Sequence, residues 1–143
     1  MSTWRFERPP GLPIPEPSDE ARPFFDALRE HRLVIQCCTV CGAQAHPPRA
    51  VCLACRSTDF EWREASGDGV VFSYVVTHQA VHPALVGHTP MATVEVELAE
   101  GPHLYSNLLD VPPEEVEVGM AVRVGFEDVA EGVVLPFFRR RAQ

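Results

Sequence analysis

The stretch "CCTVCGAQAHPPRAVCLAC", residues 37–55, holds all five cysteines of the chain. Two C-x2-C hooks stand out in it, Cys38-Thr-Val-Cys41 and Cys52-Leu-Ala-Cys55, with ten residues between them. A tetrahedral ion with Zn–S bonds of about 2.3 Å needs two such hooks brought face to face. Gly42 directly follows the first hook and can take the positive φ of a tight knuckle, which turns backbone N–H groups toward the sulfurs. His46-Pro-Pro-Arg49 supplies a turn between the hooks. The expected metal ligands are therefore Cys38, Cys41, Cys52 and Cys55, around a structural Zn2+, with iron the less favoured ion. Disulfides would leave one cysteine odd, and a thioredoxin-like redox pair would want a βαβ setting. His46 would be a ligand only in a site of three cysteines and one histidine, so it is taken as a loop residue. Cys37 is surplus, an incidental neighbour of the knuckle or a competing thiol. A closed four-thiolate site has no open coordination position and cannot activate water, so the ion organises folding rather than catalysis.

Upstream of the hooks, "PPGLPIPEP" (residues 9–17) contains five prolines and favours an extended arm. Trp4, Phe6, Leu12 and Ile14 are costly to leave in water, which favours an arm laid on another surface. In "SDEARPFFDALREHRL", Phe24, Ala27, Leu28 and His31 recur at helical spacing, and Pro23 restricts the start to about Glu20–Arg22. "RLVIQC" is a short strand into the first hook. Downstream the period changes to two. "DGVVFSYVVTHQ", "MATVEVELAEG", "PHLYSNLLD", "GMAVRVGFED" and "GVVLPFFR" are five strands, separated by Gly- and Pro-rich turns. In the second, Ala92, Val94, Val96 and Leu98 face one way and Thr93, Glu95 and Glu97 the other. In the fourth, Met120, Val122, Val124 and Phe126 oppose Ala121, Arg123 and Gly125. Five one-sided strands must bury their apolar faces together, and closing them into a barrel removes exposed edges. The expected fold is mainly β: an N-terminal helix, a four-cysteine metal ribbon, then a five-stranded OB-type barrel, with an open sandwich as the second choice. The expected spans are an arm at 1–18, a helix at 19–32, the ribbon at 33–64 and the barrel at 65–143.

All twelve basic residues are arginine. Residues 64–136 carry one of them, Arg123, against twelve acids, and the chain ends Arg139, Arg140, Arg141 before two more residues. A nucleic-acid surface needs cations where the phosphates lie, and this half offers the opposite field. No run approaches the roughly 20 apolar residues of a membrane span. The N-terminus lacks the basic start and apolar block of a secretory signal, so a cytoplasmic setting is expected.

"PFFDALREHRLVIQCCTVCG", "PPRAVCLACRSTDFEW", "SGDGVVFSYVVTH", "VELAEGPHLYSNLL", "VGMAVRVGFED" and "LPFFR" together resemble the DUF35 family, from about Pro23 to Arg139. Cys38, Cys41, Cys52 and Cys55 match that family's metal positions, and Cys37 stands where an arginine is common. The resemblance implies a rubredoxin-like ribbon followed by an OB-fold. It also implies an accessory subunit of a thiolase-like enzyme, including the sterol-carrier-protein type, in some cases beside a MaoC-type hydratase. The reactants would be acyl-CoA thioesters, in carbon–carbon bond cleavage or formation such as retro-aldol or thiolytic steps of steroid or fatty-acid side-chain degradation.

No catalytic constellation is assigned. His78, His82 and His88, in "THQAVHPALVGHTP", could build a second metal site or offer a base, but no acid or cysteine joins them. Val81, Ala84, Leu85 and Val86 make that loop better suited to docking. Glu95/Glu97 and Glu114/Glu115 are taken as the solvent side of a strand and part of a Pro-Pro turn. The phosphates of CoA must meet Arg49, Arg56 or Arg63 of the ribbon, the tail arginines with Phe137 and Phe138 beside the adenine, or the partner. The other readings are a stand-alone acyl-CoA-binding protein and a single-stranded nucleic-acid-binding OB protein.

Overall fold

A computed structural model describes residues 3–142; the first two positions of the arm span and the last of the barrel span lie outside the described residues. One helix, α1 (Arg22–Arg29), precedes two antiparallel sheets. Phe24, Ala27 and Leu28 are its buried residues. The helix ends earlier than the apolar spacing suggests. His31 turns into the left-handed region (φ 56°) while its N–H reaches Leu28 O at 2.9 Å and that of Arg32 reaches Ala27 O at 3.0 Å. These bonds satisfy carbonyls of the last turn. The His31 ring therefore leaves the helical face and stacks on Phe126, centroids 5.2 Å apart.

The first sheet comprises β1 (Val34–Cys38), β2 (Gln44–Ala45) and β3 (Phe60–Glu64), in the order β2-β1-β3. The second has all five expected strands: β4 (Asp68–Thr77), β5 (Met91–Leu98), β6 (His103–Ser106), β7 (Ala121–Ala130) and β8 (Val133–Arg140). Their order, β6-β5-β4-β7-β8, brings the first and last strands together as a nearly closed barrel. The seam is held by Leu109 N–H to Phe138 O at 2.8 Å, Phe138 N–H to Asn107 O at 3.1 Å and Ser106 Oγ–H to Pro136 O at 2.8 Å. Ala92, Val94, Val96 and Leu98 are buried and their alternates only partly so, as the period-two pattern requires. One continuous core joins them to Phe24, Leu28, Leu33, Val34 and Ile35, so helix, ribbon and barrel share it.

Residues 68 and 69 lie where β4 meets both neighbours. Asp68 accepts from Arg123 Nε at 2.7 Å and pairs with Arg141 at 2.8 Å. A Cβ on Gly69 would lie 2.6 Å from the Glu97 carbonyl oxygen and 2.8 Å from Val96 Cγ1. Backbone cannot yield there without parting β4 from β5. Gly69→Ala is therefore expected to cost about 2–3 kcal/mol, measured as a lowered urea midpoint; an unchanged midpoint would contradict the close approach.

The N-terminal arm lies along this barrel. Phe6 donates its N–H to Leu109 O at 2.9 Å, its ring packs on Phe137 at 5.8 Å, and Pro9 is fully buried. Arm and helix thus cover this molecule's own core, and less of either is free for docking than their apolar content suggests.

Candidate metal centre and outer surfaces

The two hooks fold as a matched pair. Gly42 N–H reaches Cys38 O at 3.0 Å and Arg56 N–H reaches Cys52 O at 2.8 Å. In the same way, Cys38 N–H reaches Ala43 O and Cys52 N–H reaches Ser57 O, both at 2.8 Å. The residue after each hook takes positive φ, Gly42 at 79° and Arg56 at 65°. Glycine does this without strain; arginine does it because the knuckle demands it.

This backbone brings the Sγ atoms of Cys38, Cys41, Cys52 and Cys55 within 4.8 Å of one another. Cys38–Cys55 and Cys41–Cys52 are each 3.6 Å apart. A tetrahedron of Zn–S bonds near 2.3 Å has edges of about 3.8 Å, so the donor set fits such an ion. The Cys41 and Val40 N–H groups turn toward Cys38 and hold its thiol down to about 6. Those of Cys55 and Ala54 lower Cys52 in the same way. Cys55 goes the other way, to about 12: the Ser57 N–H favours its thiolate, but desolvation and the three neighbouring sulfurs outweigh it. Four thiolates this close repel one another unless a cation lies among them.

Cys37 is not in the cluster. Strand alternation turns it away from Cys38 into a fully buried position, and desolvation raises its thiol above the ordinary value. Sequence reasoning passed over Gln36, which organises the loop between the hooks. It is buried, accepts from Arg49 N–H at 2.8 Å and donates to Arg49 O at 2.7 Å. Only its place in a wholly buried strand hinted at such a clamp.

His46 sits in that loop as expected, with its ring 5.0 Å from Phe24. Burial lowers its pKa to about 4 from 6.5. Between these values the unfolded chain binds a proton and the folded chain does not, so stability rises with pH. The contribution is complete above about pH 6.5 and is lost as pH falls toward 4, on the order of 3 kcal/mol in all. Urea midpoints of zinc-saturated protein at pH 7 and pH 5 should therefore fall further for the wild type than for His46→Gln. Equal falls would exclude the effect.

Among the described residues the four cysteines are the one group of metal-type donors that converges. His78, His82 and His88 do not meet. His82 Nδ1 instead accepts Ala84 N–H at 3.0 Å, capping the short helix Pro83–Leu85. Leu85 is buried, while Val81 and Val86 stay exposed. Glu95 and Glu97 are not simply solvated: they clamp His103, a residue the sequence pattern did not single out.

The tail is not a free cationic arm. Arg139 pairs with Glu127 and Arg141 with Asp68, and Phe137 and Phe138 are buried, so neither ring is available to an adenine. Arg63 donates to Glu61 at 2.7 Å. Near the hooks, Arg49 and Arg56 have no carboxylate at ion-pair distance among the described residues. Arg49 also lines a groove of about 300 Å3 with Leu53, Phe60 and Pro102. Among the described residues no helix is long and apolar enough to cross a membrane.

Comparison with known proteins agrees with this architecture. Residues 25–61 match the family model described as the ChsH2 rubredoxin-like zinc ribbon domain, and residues 62–127 match the ChsH2 C-terminal OB-fold domain. A probable enoyl-CoA hydratase alpha subunit of Thermomonospora curvata is 40% identical over 81% of this chain. The matched region is 36% of that relative, so this chain spans about a third of its length. A DUF35 domain-containing scaffold protein of Methanocaldococcus jannaschii is 35% identical over 68% of this chain and 72% of its own. Among solved structures, a chain of the Ltp2-ChsH2(DUF35) aldolase superposes with a TM-score of 0.80 at 37% identity, covering 88% of this chain and 98% of that one. With its paired knuckles and five-stranded barrel, the chain belongs to the DUF35 family, in its ChsH2-type form of a zinc ribbon followed by an OB-fold.

Proposed function

We propose that this chain is a non-catalytic accessory subunit or domain that docks on a thiolase-like enzyme of the sterol-carrier-protein type. There it helps form the acyl-CoA site for carbon–carbon bond cleavage or formation. The observation that carries the reading is the near-complete match to a chain of the Ltp2-ChsH2(DUF35) aldolase, 98% of that chain being covered. Cys38, Cys41, Cys52 and Cys55 hold a structural Zn2+, which supplies folding free energy and leaves no coordination position for a substrate. The chain's contribution is to hold partner loops and thioester in place, so that encounter and orientation are settled before the chemical step.

The field of the barrel argues that most cations facing the CoA phosphates belong to the partner. Arg49 and Arg56 are this chain's own candidates, because their guanidiniums are not engaged by carboxylates among the described residues. The acyl group is a steroid or fatty-acid side chain, and a MaoC-type hydratase is a further candidate partner, in keeping with the hydratase subunit among the relatives.

Co-expression with the thiolase-like enzymes of the host, size-exclusion chromatography and assay of each component tests the reading. Co-elution is expected, with turnover of a CoA thioester by the complex and none by this chain. Turnover by this chain alone, or no association with any such enzyme, overturns it. Arg49, which lines the ribbon groove and has no carboxylate at ion-pair distance among the described residues, favours one second reading, a stand-alone acyl-CoA-binding protein. Calorimetry of an acyl-CoA on the isolated chain separates the two, since tight binding without a partner supports only the second.

A further inference from the structure

The outer face of β4, β5 and β6 has a composition that solvation alone does not explain. Cross-strand register sets Ser73 beside Glu95, Glu95 beside Tyr105, and Glu97 beside His103. His103 is held from both sides, Nδ1 3.2 Å from Glu95 Oε1 and Nε2 3.3 Å from Glu97 Oε2. The Phe72 ring packs against it at 4.7 Å between centroids. A bulge between Val71 and Ser73 shifts the register by one residue. It places Phe72 and Ser73 together on the outside and sends Val75 there too. Phe72 is 51% exposed, Val75 62% and Tyr105 76%. Two large rings and a β-branched side chain thus face water around a rigid, hydrogen-bonded centre. Aromatic residues of this kind are what protein interfaces use as anchors.

Charge identifies the occupant. Glu95 and Glu97 flank the rings, and Arg123, the one arginine in residues 64–136, is already paired with Asp68. A polyanion is repelled here, which disfavours phosphate-bearing ligands on this face. An arginine is well suited, since its guanidinium can stack on Tyr105 while donating to a carboxylate. We propose that this face, centred on Phe72 and Tyr105 and flanked by Glu95 and Glu97, is where the partner protein docks, through an apolar patch bearing arginine. The assignment rests on the accessory-subunit reading for the existence of that partner.

The test uses the full chain co-expressed with the thiolase-like enzyme that co-elutes with it. Tyr105→Ala removes little packing, because the ring is mostly in water, and should weaken association at least about thirtyfold. Glu97→Arg should slow association and flatten its salt dependence. Glu131→Gln, at the exposed turn between β7 and β8, should bind as the wild type does. Melting temperatures of the isolated variants confirm that each is folded. Wild-type affinity in both Tyr105→Ala and Glu97→Arg would overturn this surface and leave the accessory reading standing. A wild-type chain that binds no such enzyme would overturn both. A fluorescent single-stranded oligonucleotide should not bind; binding that Tyr105→Ala abolishes would also overturn the assignment.

Discussion

Cys52→Ser is expected to empty the metal centre and melt the ribbon. A neutral hydroxyl replaces a thiolate whose charge is favoured by two backbone N–H groups, and a three-sulfur remnant no longer closes the tetrahedron. Structural zinc contributes on the order of 10–16 kcal/mol to small domains of this kind. The ribbon has little else to hold the hooks: β2 is two residues long, and Val40, Val51 and Leu53 of the hook region point into water. Elemental analysis should fall well below the roughly one equivalent per chain expected of the wild type. Hydrogen exchange should show the amides of residues 38–57 losing protection first. The five-stranded sheet should keep most of its protection, because its buried residues pack on one another. Full zinc content and unchanged protection in Cys52→Ser would contradict the four-thiolate assignment.

Phe138→Ala should cost about 3–5 kcal/mol, a large part of the 5–15 kcal/mol by which ordinary domains are stable. The ring is fully buried, and the residue stands at the seam where β8 bridges to Leu108. Its N–H and carbonyl both cross that seam. Truncation therefore leaves a cavity at the point of closure, where neighbours can relax only by parting β8 from Asn107–Leu109. Urea unfolding followed by Trp fluorescence and circular dichroism measures it. A loss below about 1 kcal/mol would mean that the seam adapts as a loose edge does.

How much could be read beforehand differs between parts of the molecule. The ribbon hooks were legible because metal geometry acts over a few covalent bonds: two C-x2-C pairs leave few other arrangements for four sulfurs. The strands were legible because alternating burial leaves a period of two, as in Ala92 to Leu98. His103 was not, since nothing local distinguishes it from any polar strand residue until β5 brings Glu95 and Glu97 alongside. The tail misled for the same reason. Phe137 and Phe138 next to three arginines suggest a free, ligand-contacting end, whereas Phe138 enters the core, the arm's Phe6 covers Phe137 on the other face of β8, and two of the arginines find carboxylates on other strands.

Residue order by itself determined the paired cysteine hooks, the succession of helix, ribbon and five strands, and the acidic balance of the barrel. Each depends on neighbours along the chain or on a plain sum of charges. Tertiary structure alone decided which side chains meet across strands. A single bulged residue at Phe72 reverses the facing of the remainder of β4, and closure of the barrel at Phe138 settles what is core. Such contacts are set by register between distant segments, and no local pattern carries it.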